Sequence, residues 1–360
     1  MKILVAVADY PRLDKSVAMM FVHTRNKCYI ENGLKVTVLN FAATEGYIID
    51  GIPVITYEDY VHGNDKYDAL LCHAPNIRNH FIFLKRYGDK FKRKIFFFHG
   101  HEVLRCSKVY SKPYFYQKAS KPFEVFFREA YDSFKLWLWH GYFKNNFSCE
   151  LVFVSEWMKK EFLKWTHLSE KNITSKHYVI YNCIGKEFEN EQYCYNGSKK
   201  YDFVSIRSNF DGSKYCVDLI RKLALKNPKF KFLLVGKGKY FLHYDIPDNL
   251  EVRYEYLNHE EIVNVLNSAK FALMPTRTDA QGVMACEINA FGIPMITSNI
   301  NVCNEIFGDC KNVFLISNDE AITLDNIYAN YDKACKCQKN HKYFEENTTH
   351  REISLLKGRL

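Results

Sequence analysis

Short apolar runs alternate with helical patterns along most of this 360-residue chain, and this alternation is the feature that most constrains its fold. The first series predicts strands at residues 2–7, 35–40, 53–55, 69–73, 94–98, 151–154 and 179–181. A second series predicts strands at residues 203–206, 232–235, 250–254, 271–274 and 295–297. Alternating strands and helices form parallel sheets with helices on both faces. The chain is therefore predicted to be α/β, with two doubly wound, Rossmann-like domains.

Composition narrows the class of protein. With 47% hydrophobic and 25% charged residues, the chain has an ordinary globular composition, and no apolar run is long enough to span a bilayer. The twelve cysteines are scattered and form no Cys-x-x-Cys pair, which favours reduced thiols in the cytoplasm and no structural zinc site. A net charge of +9 favours an anionic partner. Because no nucleic-acid recognition motif is present, a nucleotide diphosphate and an anionic membrane surface remain as candidates.

Residues 271–299 have the pattern of one βαβ unit. The apolar run 271–274 predicts a strand, Gly282 stands at the start of a helical pattern, and that pattern ends at Gly292 with Pro294 close behind. Residues 295–297 predict the next strand. The loop between the first strand and the helix therefore lies at the carboxyl end of a parallel sheet, where such sheets bind ligands.

This helix start has the features of an anion site. Backbone N–H groups of Gly282, Val283 and Met284 are free to point at a phosphate, and the helix dipole favours a negative charge there. Asp279 precedes the helix and Glu287 lies inside it, so two carboxylates flank the site and can accept hydrogen bonds from sugar hydroxyls. For the carboxylates alone, the simpler interpretation is favoured, with Asp279 as a dipole-favourable cap and Glu287 as a solvated surface charge.

The whole block resembles the signature of glycosyltransferase family 4, the retaining nucleotide-sugar transferases of the GT-B fold. In that signature two glutamates are separated by seven residues, and a Gly-x-Pro turn follows; Asp279 and Glu287 occupy the glutamate positions, and Gly292 and Pro294 the turn. The resemblance implies two domains facing a central cleft, with the first carboxylate on the donor sugar and the second on the ribose. Aspartate in place of the first glutamate shortens that side chain by one methylene.

Further motifs match the same family. Arg207 ends a predicted strand and Lys214 follows in the next loop, similar to a pair of cations that holds the donor diphosphate in these enzymes. Gly236 and Gly238 resemble the Gly-x-Gly turn near the nucleobase, although such a turn alone is weak evidence. Catalytic roles are thus implied for His99, Arg207, Lys214 and Asp279, and donor binding for Gly236, Gly238, Gly282, Val283, Met284 and Glu287.

His99 follows the predicted strand 94–98 and resembles a family histidine that lies beside the donor sugar. His101 is an equally reachable neighbour, so either of the two imidazoles is a candidate, and either is able to titrate near neutrality.

In relatives the last helix crosses back to the first domain. We therefore place the domains at residues 1–184 and 185–340, with a helical tail at 341–360.

No Asp-x-Asp motif and no histidine–carboxylate cluster with metal spacing is present. We expect no cofactor and no metal requirement, because Arg207, Lys214 and the helix start are placed to stabilise the leaving diphosphate.

Residues 110–147 interrupt the alternation with a long aromatic helical pattern that contains charges, which excludes a membrane span. One interpretation is a helix packed on the first domain through its aromatic residues. The other is an interfacial helix whose aromatic side chains touch lipid, with lysines at 108, 112, 118 and 121 near anionic headgroups.

The sequence and the family resemblance together imply a cytoplasmic retaining glycosyltransferase, and the interfacial interpretation of residues 110–147 would make it peripheral to the inner face of the membrane. Its expected partners are a nucleotide-sugar donor and a saccharide or lipid-linked acceptor in surface polysaccharide biosynthesis. Two alternatives remain: a sugar-nucleotide epimerase of the same architecture, and a non-catalytic sugar-nucleotide-binding protein.

Overall fold

The computed structural model of the chain describes residues 1–12, 18–117, 122–144, 146, 148–173 and 176–359. The chain divides into two compact units. The N-terminal unit contains Met1–Cys106, Phe126–Cys183 and Phe344–Leu360, and the C-terminal unit contains Ser107–Val125 and Ile184–Tyr343. The lysines at 118 and 121 lie outside the described residues.

The N-terminal unit is built on an eight-stranded sheet. Its strands are β1 Lys2–Val7, β2 Lys35–Asn40, β3 Tyr47–Ile49, β4 Ile52–Ile55, β5 Ala69–His73, β6 Arg93–Phe98, β7 Cys149–Phe153 and β8 Lys176–Val179. Their order is β3-β4-β2-β1-β5-β6-β7-β8, and only β3 is antiparallel to its neighbour. Central strands such as β1 and β5 are almost wholly buried, which is why they are continuous apolar runs in the sequence.

Helices cover this sheet. They are α1 Met20–Glu31, α2 Tyr57–His62 and α3 Ile82–Tyr87, then α5 Pro122–Lys144 and α6 Glu156–Thr166, whereas α4 Cys106–Val109 lies at the change of unit. A π-helical turn, Ile77–Phe81, leads into α3. Thr56 caps α2 and Ser155 caps α6 by accepting hydrogen bonds from backbone N–H groups three residues ahead.

The C-terminal unit has a six-stranded, all-parallel sheet. Its strands are β9 Tyr201–Arg207, β10 Phe232–Gly236, β11 Leu250–Arg253, β12 Ala269–Met274, β13 Met295–Ser298 and β14 Val313–Ile316, in the order β11-β10-β9-β12-β13-β14. Its helices are α7 Lys186–Asn190, α8 Val217–Lys226, α9 His259–Asn267, α10 Val283–Phe291, α11 Asn301–Phe307, α12 Asp325–Tyr328 and α13 Tyr331–Ala334. The predicted end of α10 is confirmed, since Gly292 adopts φ 96° and its N–H bonds to the last turn.

Two segments belong to a different unit from their neighbours in the sequence. Residues Ser107–Val125 lie in the C-terminal unit, where Tyr114 packs in the core beside α8. The final helix, α14 Thr349–Leu356, lies in the N-terminal unit and contributes Ile353, Leu355 and Leu356 to its core. The sequence placed the first of these segments in the first domain, and the resemblance implied the return of the tail.

The second half of the aromatic helix α5 is buried on one side, and its first half is mostly exposed. Trp139 and Phe143 are fully buried against the sheet, whereas Phe126, Phe134 and Trp137 are 66%, 53% and 67% exposed. The interpretation that the aromatic residues of this helix are all core residues is therefore wrong. Among the described helices none has the length and hydropathy needed to cross a membrane.

Candidate functional site

Most of the predicted site residues of the C-terminal unit lie at one edge of its sheet. Arg207 ends β9, Gly236 ends β10, and the loop 275–281 follows β12. These three strands are adjacent and parallel, so their carboxyl ends meet at the same edge. The short apolar strands and their polar ends in the sequence thus predicted the position of this edge.

Arg207 is a buried cation with incomplete pairing. It is 7% exposed, and its Nη2 donates a hydrogen bond of 2.7 Å to the carbonyl oxygen of Pro275. Its Nε is buried without a hydrogen-bond partner in the described part of the chain. Burial lowers the pKa of Arg207, while the nearby groups, Asp279 among them, act in the opposite direction. A guanidinium starts so far above neutrality that it stays charged, so this edge holds a positive charge able to accept an anion.

Lys214 lies in the loop after β9, within the 3₁₀ turn Ser213–Tyr215. Its ammonium is 4.8 Å from the ring centroid of Tyr215, and its carbonyl oxygen accepts hydrogen bonds from the N–H of Arg277 at 2.9 Å and from Thr276 Oγ1 at 3.1 Å. The backbone of Lys214 is thereby fixed to the loop after β12, whereas its half-buried side chain has no carboxylate partner among the described residues.

Arg277 is a residue that the sequence reasoning missed. Its guanidinium donates to both oxygens of Asp218, at 2.9 and 2.7 Å, and to the carbonyl oxygen of Ser213 at 2.6 Å. The bidentate pair joins the loop after β12 to the first turn of α8, and the bond to Ser213 joins it to the loop after β9. The signal was an arginine three residues after a strand end, but a pairing with a carboxylate 59 residues away cannot be seen in the sequence pattern.

The Gly-x-Gly turn has a packing role of its own. Gly236 and Gly238 have φ of 150° and 152°, and a Cβ on Gly236 would lie 1.7 Å from the carbonyl oxygen of Arg207. A Cβ on Gly238 would lie 2.7 Å from Cβ of Phe210, and the N–H of Phe210 bonds to the carbonyl of Lys237 at 2.7 Å. The glycines are needed for the two loops to pack together, which holds Arg207 in place. Contact with a nucleobase stays a prediction.

The start of α10 has no side-chain cap in the described chain. Gly282 adopts φ 78° as the residue before the helix. Gly282, Val283 and Met284 are all half-buried. Asp279 accepts a hydrogen bond of 2.8 Å from the N–H of Ala280 instead, so it shapes the loop and leaves the first N–H groups of the helix without a side-chain cap.

Glu287 is not the solvated surface charge that the simpler interpretation proposed. It is 4% exposed, its Oε1 accepts a hydrogen bond of 3.2 Å from the N–H of Gly185, and the same oxygen is 3.7 Å from Nε2 of His259. Burial raises the pKa of the Glu287 carboxyl, and His259 and the Gly185 N–H lower it. These protein partners position the carboxylate, and its contact with a ribose stays a prediction.

His99 belongs to the N-terminal unit, directly after β6. Its Nε2 shares a hydrogen bond of 3.2 Å with Nδ1 of His73, and its ring packs 4.6 Å from that of Phe21. Burial and then the Arg25 cation lower the pKa of His99 well below its usual range, so the imidazole is neutral at pH 7. The expectation that it titrates near neutrality is therefore wrong. His101 is exposed.

Residues 195–351 match the model of a protein family described as Glycosyl transferases group 1. The O-antigen biosynthesis glycosyltransferase WclY of Escherichia coli is 26% identical over 137 residues, which are 37% of this chain and 39% of that protein. An uncharacterised glycosyltransferase of Methanocaldococcus jannaschii is 25% identical over 174 residues, which are 47% of this chain and 45% of that protein. The matched segments thus span less than half the length of these curated relatives.

Solved structures resemble the whole chain. Sucrose-phosphate synthase from Thermosynechococcus elongatus superposes with a TM-score of 0.75 at 13% identity, covering 99% of this chain and 98% of that one. HepE from Anabaena, solved in complex with UDP and glucose, gives a TM-score of 0.70 at 14% identity and covers 100% of both chains. At these identities the likeness establishes the fold. The chain has the GT-B fold, and its sequence from residue 195 to residue 351 matches the group 1 glycosyl transferases.

Proposed function

We propose that the protein is a retaining glycosyltransferase that transfers a sugar from a nucleotide-diphosphate sugar to an acceptor hydroxyl, without a metal ion in the transfer step. The observation that carries this proposal is the buried Arg207, whose Nε has no hydrogen-bond partner in the described chain, at the sheet edge that also holds Lys214 and the start of α10. A diphosphate supplies the missing acceptor and the missing negative charge. The match to group 1 glycosyl transferases over residues 195–351 supports the reaction class.

Each of these groups has a defined part in the proposed reaction. Arg207 and Lys214 hold the diphosphate oxygens and stabilise the charge that develops as the bond from the sugar to the phosphate breaks. The first N–H groups of α10 bind the same phosphate. Asp279 accepts hydrogen bonds from the hydroxyls of the donor sugar, and Glu287 accepts them from the ribose. The departing diphosphate accepts the proton of the acceptor hydroxyl on the same face of the sugar, which preserves the configuration. A catalytic role for His99, in the N-terminal unit, stays a prediction from the resemblance.

The proposed donor is a nucleoside diphosphate sugar of unassigned base, and the proposed acceptor is a saccharide or a lipid-linked saccharide of a surface polysaccharide. Two likenesses support these classes: WclY is described as an O-antigen biosynthesis enzyme, and HepE was solved with UDP and glucose. All twelve cysteines are free thiols, which supports a reducing, cytoplasmic location.

The experiment that tests the proposal starts with thermal stabilisation of the full chain by UDP-, GDP- and ADP-sugars, because a ligand that binds the folded state raises the melting temperature. The stabilising donor is then incubated with and without saccharide acceptors, and the products are analysed by NMR for the anomeric configuration. Acceptor-dependent transfer with retention supports the proposal. Release of an epimerised sugar without acceptor would establish the epimerase instead, and binding without any turnover would establish a non-catalytic protein.

We further propose that α5 brings the enzyme to an anionic membrane surface. The helix presents Phe126, Phe134 and Trp137 to solvent on the N-terminal unit, and amphipathic aromatic residues are favoured at the headgroup level of a bilayer. Sedimentation with vesicles of phosphatidylglycerol and phosphatidylcholine tests this. The double variant F134S/W137S should lose binding, whereas Phe115→Ser, a still more exposed phenylalanine of the other unit, should keep it. Equal binding of both variants would contradict the proposal.

A further inference from the structure

Three side chains of metal-ligating type converge in the N-terminal unit. They are Cys28, Glu345 and His350, and each offers one ligand atom within 4.8 Å of the other two. Cys28 lies on α1, Glu345 in the 3₁₀ turn Glu345–Asn347, and His350 in the first turn of α14. Within the described part of the chain this is the one such group, and it plays no part in the proposed transfer reaction.

The ligand set suits zinc. Thiolate sulfur, imidazole nitrogen and carboxylate oxygen are the three protein ligands that Zn²⁺ prefers, at distances of roughly 2.0–2.3 Å. Two ligand atoms on one tetrahedral zinc therefore lie roughly 3–4 Å apart. His350 is exposed and Glu345 is half-buried, so rotation of these side chains brings their atoms to the ion while the buried Cys28 stays in place.

The scaffold that carries the ligands is rigid. Beside Cys28 on α1, Arg25 and Tyr29 both bind the carboxylate of Glu352 on α14, at 3.0 and 2.5 Å. Cys28 also packs in the same core cluster as Leu355 and Leu356 of α14. Cys28 and His350 are therefore held by two helices whose separation is already fixed, so these two ligands lose little entropy when they bind an ion.

A further polar group is positioned around the sulfur. The side-chain amide of Asn32 donates to Cys28 Sγ at 3.6 Å and to the carbonyl oxygen of Cys28 at 2.9 Å. Such a donor orients a thiolate and stabilises its negative charge when it binds a metal.

We propose that Cys28, Glu345 and His350 bind one zinc ion that fastens the C-terminal helix α14 to α1. Water completes the coordination on the exposed side of His350, and binding releases the Cys28 thiol proton to solvent. The sequence pattern predicted no zinc site because zinc motifs are recognised by closely spaced ligands, whereas this site joins residue 28 to residues more than 300 positions later. The inference does not depend on the proposed transferase activity.

Zinc binding by the full chain tests the inference. The protein is stripped with EDTA under reducing conditions, titrated with ZnCl₂ against a chromophoric chelator, and analysed for retained metal. We expect one tightly bound zinc per wild-type chain and a higher melting temperature in its presence. His350→Ala should weaken binding roughly tenfold or more, since it removes a direct ligand from an exposed position without disturbing the core. His62→Ala, an exposed histidine of the same unit outside the site, is the matched control.

Cobalt substitution identifies the sulfur ligand. The Co²⁺ form of the wild type and of His62→Ala should show a thiolate-to-cobalt charge-transfer band, which Cys28→Ser should lack. A wild type that binds no zinc, or a His350→Ala variant that binds it with unchanged affinity, would overturn the inference even if Cys28→Ser fails to fold.

Discussion

The two units each bury an arginine, and the two are paired very differently. Arg25 in the N-terminal unit is 0% exposed, and each of its guanidinium nitrogens donates a hydrogen bond within that unit. Nε binds Glu352 at 3.0 Å, Nη2 binds Asn182 at 2.6 Å, and Nη1 binds the carbonyl oxygen of Phe21 at 3.1 Å. Arg207 in the C-terminal unit is 7% exposed, binds one carbonyl oxygen and leaves Nε without a partner in the described chain.

The number of hydrogen-bond partners distinguishes a buried cation that stabilises the fold from one that is proposed to bind a ligand. Burial of a charge is costly in both cases, and only full pairing offsets it within the protein. Arg25 is fully paired, so it fixes α1 against α14. Arg207 is held in position by packed loops, but its Nε has no hydrogen-bond acceptor in the described chain. This is the state expected of a group whose partner is part of a substrate.

The largest expected effect tests the structural arginine. Glu352→Ala leaves Arg25 buried without its carboxylate and should lower the free energy of unfolding of the N-terminal unit by about 3–5 kcal/mol. Urea denaturation followed by circular dichroism measures this change. Glu346→Ala, which removes an exposed carboxylate from the preceding turn, should change it by less than about 0.5 kcal/mol. A loss below about 1 kcal/mol for Glu352→Ala would show that the pair is not structural.

The next effect concerns Arg207, the arginine of the proposed donor site. Arg207→Met should weaken the affinity for the stabilising nucleoside diphosphate by roughly 10- to 100-fold, the loss expected for charge-assisted hydrogen bonds. Stability should not fall, because the substitution removes a buried cation that has no carboxylate partner among the described residues. Calorimetric titration and urea denaturation measure the two quantities. Arg221→Met, whose Nε binds an exposed carbonyl oxygen of the same unit, is the control and should bind normally.

A smaller effect tests whether Ser107–Val125 is fixed in the C-terminal unit as firmly as α14 is in the N-terminal one. Tyr116 donates a hydrogen bond of 2.6 Å to Asp211, whose carboxylate also accepts from the N–H of Lys239. Tyr116→Phe should destabilise the unit by about 1 kcal/mol, the usual value for one hydrogen bond. Thermal unfolding measures it, with Tyr195→Phe, an exposed tyrosine of the same unit, as the reference. An unchanged melting temperature would mean that the Tyr116 hydrogen bond contributes nothing to holding the segment, which Tyr114 and Gln117 also bond to the unit.

The smallest expected effect is on the pH dependence of stability, and it comes from the difference between the buried glutamates Glu352 and Glu287. Glu352 faces a guanidinium, whereas Glu287 has a backbone N–H and His259 as partners, and burial raises the pKa of the Glu287 carboxyl. A raised carboxyl pKa means that ionised Glu287 costs stability, and that this cost grows as pH rises through the folded-state pKa. Glu287→Gln should therefore match the wild type in acid and melt slightly higher at neutral pH. If the variant melts at a lower temperature than the wild type at neutral pH and at the same temperature in acid, ionised Glu287 stabilises the fold and the prediction is wrong.

Much of the fold was readable from local patterns. The strands at residues 2–7, 35–40 and 69–73 were predicted to the residue, because buried parallel strands are continuous apolar runs. Two strands at sheet edges were missed. β14 is a four-residue apolar run, too short for periodicity to decide, whereas β3 pairs with β4 through the Asp50-Gly51 turn. Both turn residues have positive φ, so the Asp-Gly signal of a hairpin was present in the sequence.

The sequence by itself determined which residues stand at the ends of which strands. Arg207, Gly236 and the loop before Gly282 meet at one edge because parallel strands put their carboxyl ends together, and short-range patterns suffice to place strands and helix starts. Only the tertiary structure decided which polar groups are satisfied. Arg25 finds Glu352 at a separation of 327 residues, and Arg207 finds no such partner in the described chain. Whether a buried donor or acceptor finds a hydrogen-bond partner depends on residues far away in the sequence, so local sequence patterns cannot predict it.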